Sequence, residues 1–120
     1  MHLHLLSIFY RYFLMLYKQE FGQDFDLGFD LESHPYLIDK SWHNDLCPSF
    51  YFNVGEQYYV LWVDYADEEQ REEDTPRYMI TKGVNEGTED KPEVYCEANS
   101  EEIGSCENYE DLKLFLRSFI

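Results

Sequence analysis

His43, Asp45 and Cys47 recur at every second residue of the segment Ser41 to Phe50, SWHNDLCPSF. An imidazole, a carboxylate and a thiol are the groups of a nucleophilic triad, and imidazole and thiol are also soft metal ligands. In an extended segment the three side chains lie on one side of the backbone. The spacing works against both chemistries. A base must come within hydrogen-bond reach of its nucleophile. Residues i and i+4 of a strand, at about 3.3 Å per residue, stand more than about 12 Å apart. For a metal, His43 and Cys47 supply two soft ligands, and no second pair at zinc-like spacing follows. The segment therefore reads as a structural loop, with Ser41 or Asn44 as a cap and Trp42 as a core plug. A small enzyme or metal-binding protein built on His43, Asp45 and Cys47 is the alternative function.

Two other places invite a metal. Asp24 to Glu32, DFDLGFDLE, gathers hard oxygen ligands, but a calcium loop started at Asp24 would put Gly28 at position 5 and Pro35 at position 12, where oxygen ligands belong. Strict alternation of Phe25, Leu27, Phe29 and Leu31 with acidic residues and Gly28 predicts an edge strand with one charged, solvated face instead. His2 and His4 sit near the N-terminus with no further ligand beside them. No cofactor and no metal are expected.

Charge is the strongest functional signal. The chain of 120 residues carries 25 acids against 9 Lys and Arg, a formal net charge of −16. That balance argues against sequence-independent binding of nucleic acid, which needs Lys and Arg to neutralise phosphates, and against adsorption to anionic membranes. It suits a basic protein partner, cation binding or simply high solubility. Between Asp64 and Asp111 there are 17 acids and four bases, so the charge is localised. Within it, Ala66 to Thr75, ADEEQREEDT, predicts an exposed loop or a single solvated turn of helix. Its carboxylates, Asp67, Glu68, Glu69, Glu72, Glu73 and Asp74, are the candidate partner-binding residues, together with Tyr58 and Trp62 as aromatic anchors on the neighbouring strand.

The elements that must position these groups centre on Pro48 to Tyr65, PSFYFNVGEQYYVLWVDY. Two aromatic and β-branched runs flank Gly55-Glu56, and Gly at the first central position suits a type II′ turn. That turn pairs Val54 with Gln57, Phe52 with Tyr59 and Phe50 with Leu61, within antiparallel runs 49–54 and 57–65. Phe50, Phe52, Val54, Tyr59, Leu61, Val63 and Tyr65 then share one face, and Tyr51, Asn53, Tyr58, Val60, Trp62 and Asp64 the other. Arg77 to Val84 predicts a third central strand, Tyr36 to Ile38 a short one and Glu93 to Ala98 a final one. Asn99 to Gly104 reads as a loop. Asn108 is the predicted N-cap of a closing helix that sets Leu112, Phe115, Leu116 and Phe119 on one face. At the other end, Leu6, Phe9, Phe13 and Leu16 predict a helix running to about Phe21, with Gly22 as its stop. Leu3 to Tyr17 lacks the marks of a signal peptide and the length of a membrane span. Met15 offers an alternative start, which would make residues 1–14 a misread extension.

The expectation is one α+β domain over residues 1–120: an N-terminal helix, a mainly antiparallel sheet of four to six strands with a central hairpin, and a C-terminal helix packed on one face. Cys47, Cys96 and Cys106 are odd in number and match no disulfide or zinc framework, which predicts free thiols in a cytoplasm. In size, charge and α+β content the chain resembles bacterial immunity proteins that neutralise toxins, or small nucleic-acid-mimic inhibitors. The resemblance is one of type and carries over no residues. It implies a protein-interaction module that binds a basic partner; an uncharacterised housekeeping domain is the remaining class.

Overall fold

The structure is a computed structural model that describes residues 15–96 and 100–119. The helix expected from Leu6, Phe9 and Phe13, and the histidines His2 and His4, lie outside the described residues apart from the helix's last turns. Those form α1 (Leu16–Phe21), closed by Gly22 at φ 114, whose N–H donates to the Lys18 carbonyl.

Six antiparallel strands follow: β1 (Ile38–Asp39), β2 (Ser49–Val54), β3 (Gln57–Val63), β4 (Tyr78–Asn85), β5 (Val94–Tyr95) and β6 (Glu102–Cys106). They are arranged β1-β2-β3-β4-β5, and β6 pairs with the first half of β4. The helix α2 (Tyr109–Arg117) closes the described fold. The expected α+β class, the helices and the antiparallel sheet are all present.

The hairpin adopts the expected register, with Val54 opposite Gln57, Phe52 opposite Tyr59 and Phe50 opposite Leu61. Gly55 has φ 60, the left-handed value that the first central residue of a II′ turn requires. The hairpin faces separate as the alternation demands. Phe50, Phe52, Leu61 and Val63 enter the core with Tyr78 and Ile80 of β4. α1, through Tyr17, and α2, through Leu112 and Leu116, cover this inner face, together with Phe25, Leu27 and Leu37 from the segment between α1 and β1. The cap of α2 is as expected: Asn108 Oδ1 accepts the Asp111 N–H at 3.0 Å, and Glu110 and Asp111 stand in the first turn. His34 ties the covering segment to α2. It is buried, and its two ring nitrogens bond Tyr109 Oη at 2.8 Å and Tyr36 Oη at 3.0 Å. Burial pushes its pKa below the usual imidazole value, which suits a neutral ring that donates to one tyrosine and accepts from the other.

Four expectations need correction. Asp24 to Glu32 is not a strand. Phe25 and Leu27 are buried and Asp24 and Asp26 exposed, as alternation predicts, but the run breaks at Gly28, at φ 83. Asp26 Oδ1 accepts the Gly28 N–H and Asp30 Oδ1 the Glu32 N–H, so the acids turn the chain locally, ending in a 3-10 turn at Leu31–Ser33. The short strand near Tyr36 begins only at Ile38, and the one expected over Glu93 to Ala98 is seen as Val94–Tyr95, with residues 97 and 98 outside the described residues. Trp42 is no core plug: it is 51% exposed. The fourth correction is β6, which takes in Glu102 to Gly104 of the stretch read as a loop. Gly104 sits within it because the ring of Phe115 from α2 lies directly above. Glycine in a strand here marks a close approach rather than a turn. A bulge accompanies it: Gly104 faces Ile80 and Glu102 faces Thr81, leaving Ile103 as the extra residue.

A methyl group at Gly104 would stand 2.5 Å from Phe115 Cε2. Gly104→Ala should therefore destabilise the fold by about 1–3 kcal/mol through overpacking, read as a lower urea midpoint at unchanged slope. Phe115→Leu in the same background should recover part of the loss; a neutral Gly104→Ala would show that the helix does not rest on this strand.

Candidate functional site

The acidic segment is shaped by one cation. Arg71 is the single base among ten residues, and its side chain is only 3% exposed. Its Nε–H donates to the Tyr65 carbonyl at 2.7 Å, Nη1 to the Thr75 carbonyl at 3.0 Å and Nη2 to the Ala66 carbonyl at 3.3 Å. The same fork takes Glu107 in a bidentate pair, Nη2 to Oε2 at 2.7 Å and Nη1 to Oε1 at 3.0 Å. Both ends of the loop are thus pinned to the junction of β6 and α2. The hydrogen bond to Arg71 holds the Glu107 carboxyl below its usual range. Between the pinned ends, Glu68–Gln70 makes a 3-10 turn capped by Asp67, whose Oδ1 accepts the Glu69 N–H at 2.9 Å. Asp67, Glu68, Glu69, Glu72, Glu73 and Asp74 are all exposed, and none of them forms an ion pair among the described residues.

The aromatic half of the expected site lies on the outer face of the sheet. Trp62 and Tyr58 are half-buried on β3. Trp62 is oriented by its Nε1–H, which donates to Thr81 Oγ1 on β4 at 3.2 Å, and Lys40 Nζ stands 5.2 Å from its ring centroid. Tyr58 lies beside Tyr51 in a separate groove toward the hairpin turn, with ring centroids 6.2 Å apart.

Trp62 and Glu73 meet in one cavity of about 330 Å³. Leu46, Cys47 and Met79 give it apolar walls, and Asp45, Asp64 and Glu73 place carboxylates on it. The acidic loop and the aromatic strand therefore share a site, although only Glu73 of the six loop carboxylates lines it. Asp64 is the residue that sequence reading missed. The alternation puts it on the outer face, but nothing in a run of apolar strand residues says that the residue is only 8% exposed at a cavity wall. Its Oδ1 accepts the Tyr65 N–H at 2.8 Å, and Oδ2 has no hydrogen-bond donor among the described residues. Arg71 was the other omission: an arginine amid carboxylates reads as surface charge until its carbonyl partners are seen.

The His43, Asp45, Cys47 set does not assemble. His43 points away to Glu20, with Nδ1 3.4 Å from Oε2. Cys47 is 6% exposed and has no imidazole partner among the described residues. Burial first, then the carboxylates of Asp64 and Asp45, push its thiol up to about 12, opposite to what a nucleophile needs. The loop is held instead by Ser41, whose Oγ accepts the Ser49 N–H at 3.1 Å, while the Asn44 side chain has no hydrogen bond among the described residues. No group of three or more His, Cys, Asp or Glu suited to a metal is found among the described residues, and none of their helices is long and apolar enough to cross a membrane. All three cysteines are free. No protein-family model, curated protein or solved structure matches this chain.

Two outcomes are expected. Replacing Arg71 with Met leaves three carbonyls and Glu107 without their donor, which should cost about 2–3 kcal/mol by the usual worth of hydrogen bonds to a charged group and admit protease between Ala66 and Thr75. The pair's contribution is full above the ordinary carboxylate pKa of about 4.5, and it is lost as pH falls through the lower folded value. Arg71→Met should therefore also flatten the acid limb of the stability curve; intact stability and protease resistance would refute this role. For the thiols, a disulfide-exchange reagent at neutral pH should leave Cys47 unmodified in the folded protein and titrate all three in denaturant. Rapid native labelling of Cys47 would contradict its burial.

Proposed function

We propose that this chain is a protein-interaction module whose acidic face receives a basic protein. The observation that supports this reading best is the cavity shared by Trp62 and Glu73, because it joins a long-range and a short-range source of affinity at one place. Exposed, unpaired carboxylates of the loop attract and orient a cationic surface over about a Debye length, roughly 8 Å at physiological salt. A half-buried tryptophan supplies contact energy that salt does not screen. The formal charge of −16 opposes nucleic acid as the ligand and favours proteins that themselves bind it. Inhibition of a basic toxin or nuclease, in the manner of immunity proteins and nucleic-acid mimics, is the form of this function that best fits the size and charge. Three free thiols suit a reducing cytoplasm as its place of action.

The test uses the loop. Once a partner has been captured from the native cell, the quadruple variant Glu68→Gln, Glu69→Gln, Glu72→Gln, Glu73→Gln should slow association about tenfold or more at low salt, with a much smaller change in dissociation. Added salt should erase the difference. Stability should hold or rise as self-repulsion falls. An association rate indifferent to both the substitutions and salt would refute the electrostatic reading.

A further inference from the structure

We infer that the cavity between Trp62 and Asp64 is a receptor for a single arginine side chain presented by the basic partner. The inference rests on the reading of this face as the seat of a basic protein, and it names the group that enters. Three observations converge. The first is Asp64, a residue 8% exposed at the cavity wall, with one carboxylate oxygen taking the Tyr65 N–H and the other, open to solvent, without a donor among the described residues. That accessible oxygen can take a charge-assisted hydrogen bond from a cationic donor brought from outside. Asp45 and Glu73 add carboxylates at the same cavity.

The second observation is the wall material. Trp62, Leu46 and Met79 offer apolar surface beside the acids, which suits a side chain with an apolar stem and a charged end. The Trp62 ring already attracts one cation, Lys40, from the neighbouring groove that it also lines. Its Nε1–H bond to Thr81 keeps the ring in place. A guanidinium is planar, stacks on an indole face and forks toward carboxylates, whereas an ammonium does neither as well. The third observation is charge. At −16 a second copy of this chain is repelled, so a cationic foreign protein is the occupant that the surface favours.

The experiment needs no identified partner. Two amidated nonapeptides, acetyl-GSKGRGKSG and the same peptide with citrulline for arginine, differ by one charge at one shape. Both are titrated at low salt into isotopically labelled protein, with calorimetry in parallel. The indole N–H of Trp62 is the reporter, and that of Trp42, outside this cavity, is the internal control. The arginine peptide should shift the Trp62 signal saturably and the Trp42 signal little. Citrulline should weaken binding about tenfold or more, the least expected when one member of a desolvated charge pair is removed. Asp64→Asn should abolish the preference for arginine over citrulline; it keeps the acceptor for the Tyr65 N–H, and Asp45→Asn at the rim is the second variant should the first fold poorly. Glu68→Gln, away from the cavity, should weaken both peptides alike. Equal affinity for the two peptides, or an arginine preference that survives both Asp variants, would overturn the arginine receptor while leaving the acidic face intact. Salt-independent binding, or none of either peptide at low salt, would count against the basic-partner reading itself. A Trp62 signal that moves with protein concentration alone would replace the foreign arginine with a second copy.

Discussion

The two-residue turn at Gly55-Glu56 decides which side chains this protein shows and which it hides. With Gly55 at φ 60, Phe52 must face Tyr59 and Phe50 must face Leu61. A slip of β3 by one residue would turn that strand over, sending Trp62 and Val60 inward and Leu61 and Val63 out. Phe50 and Phe52 would then lose Leu61 and Val63 as neighbours beneath Tyr17, Leu112 and Leu116, so the core and the outer site are specified by one turn. The third strand inherits the choice: β4 pairs with β3 so that Ile80 joins Leu61 inside while Thr81 lies beside Trp62 outside and fixes its ring.

A different constraint governs the acidic loop. Six carboxylates in ten residues repel one another and bury nothing, so the segment has no apolar reason to hold a shape. Arg71 supplies one by taking the carbonyls of Tyr65, Ala66 and Thr75 and the carboxylate of Glu107, an acid from outside the loop. The guanidinium is thereby used up on backbone and on a distant partner, and the loop's own acids keep their charge. The order of the loop and its availability to a cation come from the same bond set.

Much of this was legible in the sequence, and the gaps have physical causes. The hairpin register, the third strand and the cap at Asn108 followed from turn chemistry and periodicity, which are local. β6 did not, because EIGSC holds a glycine that sequence reading treats as a break, whereas Phe115 from a later helix is what requires it. The alternation from Asp24 gave the correct burial of Phe25 and Leu27 but not a strand, since Asp26 and Asp30 spend their side chains on local backbone N–H groups rather than leaving them to a ladder. The candidate site was half legible. Loop acids and Trp62 announced themselves by composition, but the cavity between them needs Asp64, just past the end of β3, and Met79 on β4, and only the tertiary fold brings those together.

The outer face is also left partly open for a reason that can be named. Near the hairpin turn, β5 folds over it, and Val94 packs against Val60 across Gly83, where an added methyl would come 2.9 Å from Val94 Cγ1 and 3.2 Å from Val60 Cγ2. Only glycine permits so close an approach. That contact seals Val60 completely, yet β5 is two residues long and ends at Tyr95. Farther along β3, Trp62 shares its cavity with residues of the Ser41–Cys47 loop and with Thr75 and Pro76. A short covering strand therefore closes one end of the face and leaves the other to two loops, both carrying acids. The cavity at Trp62 is what remains between them, and its negative rim follows from the composition of the loops that frame it.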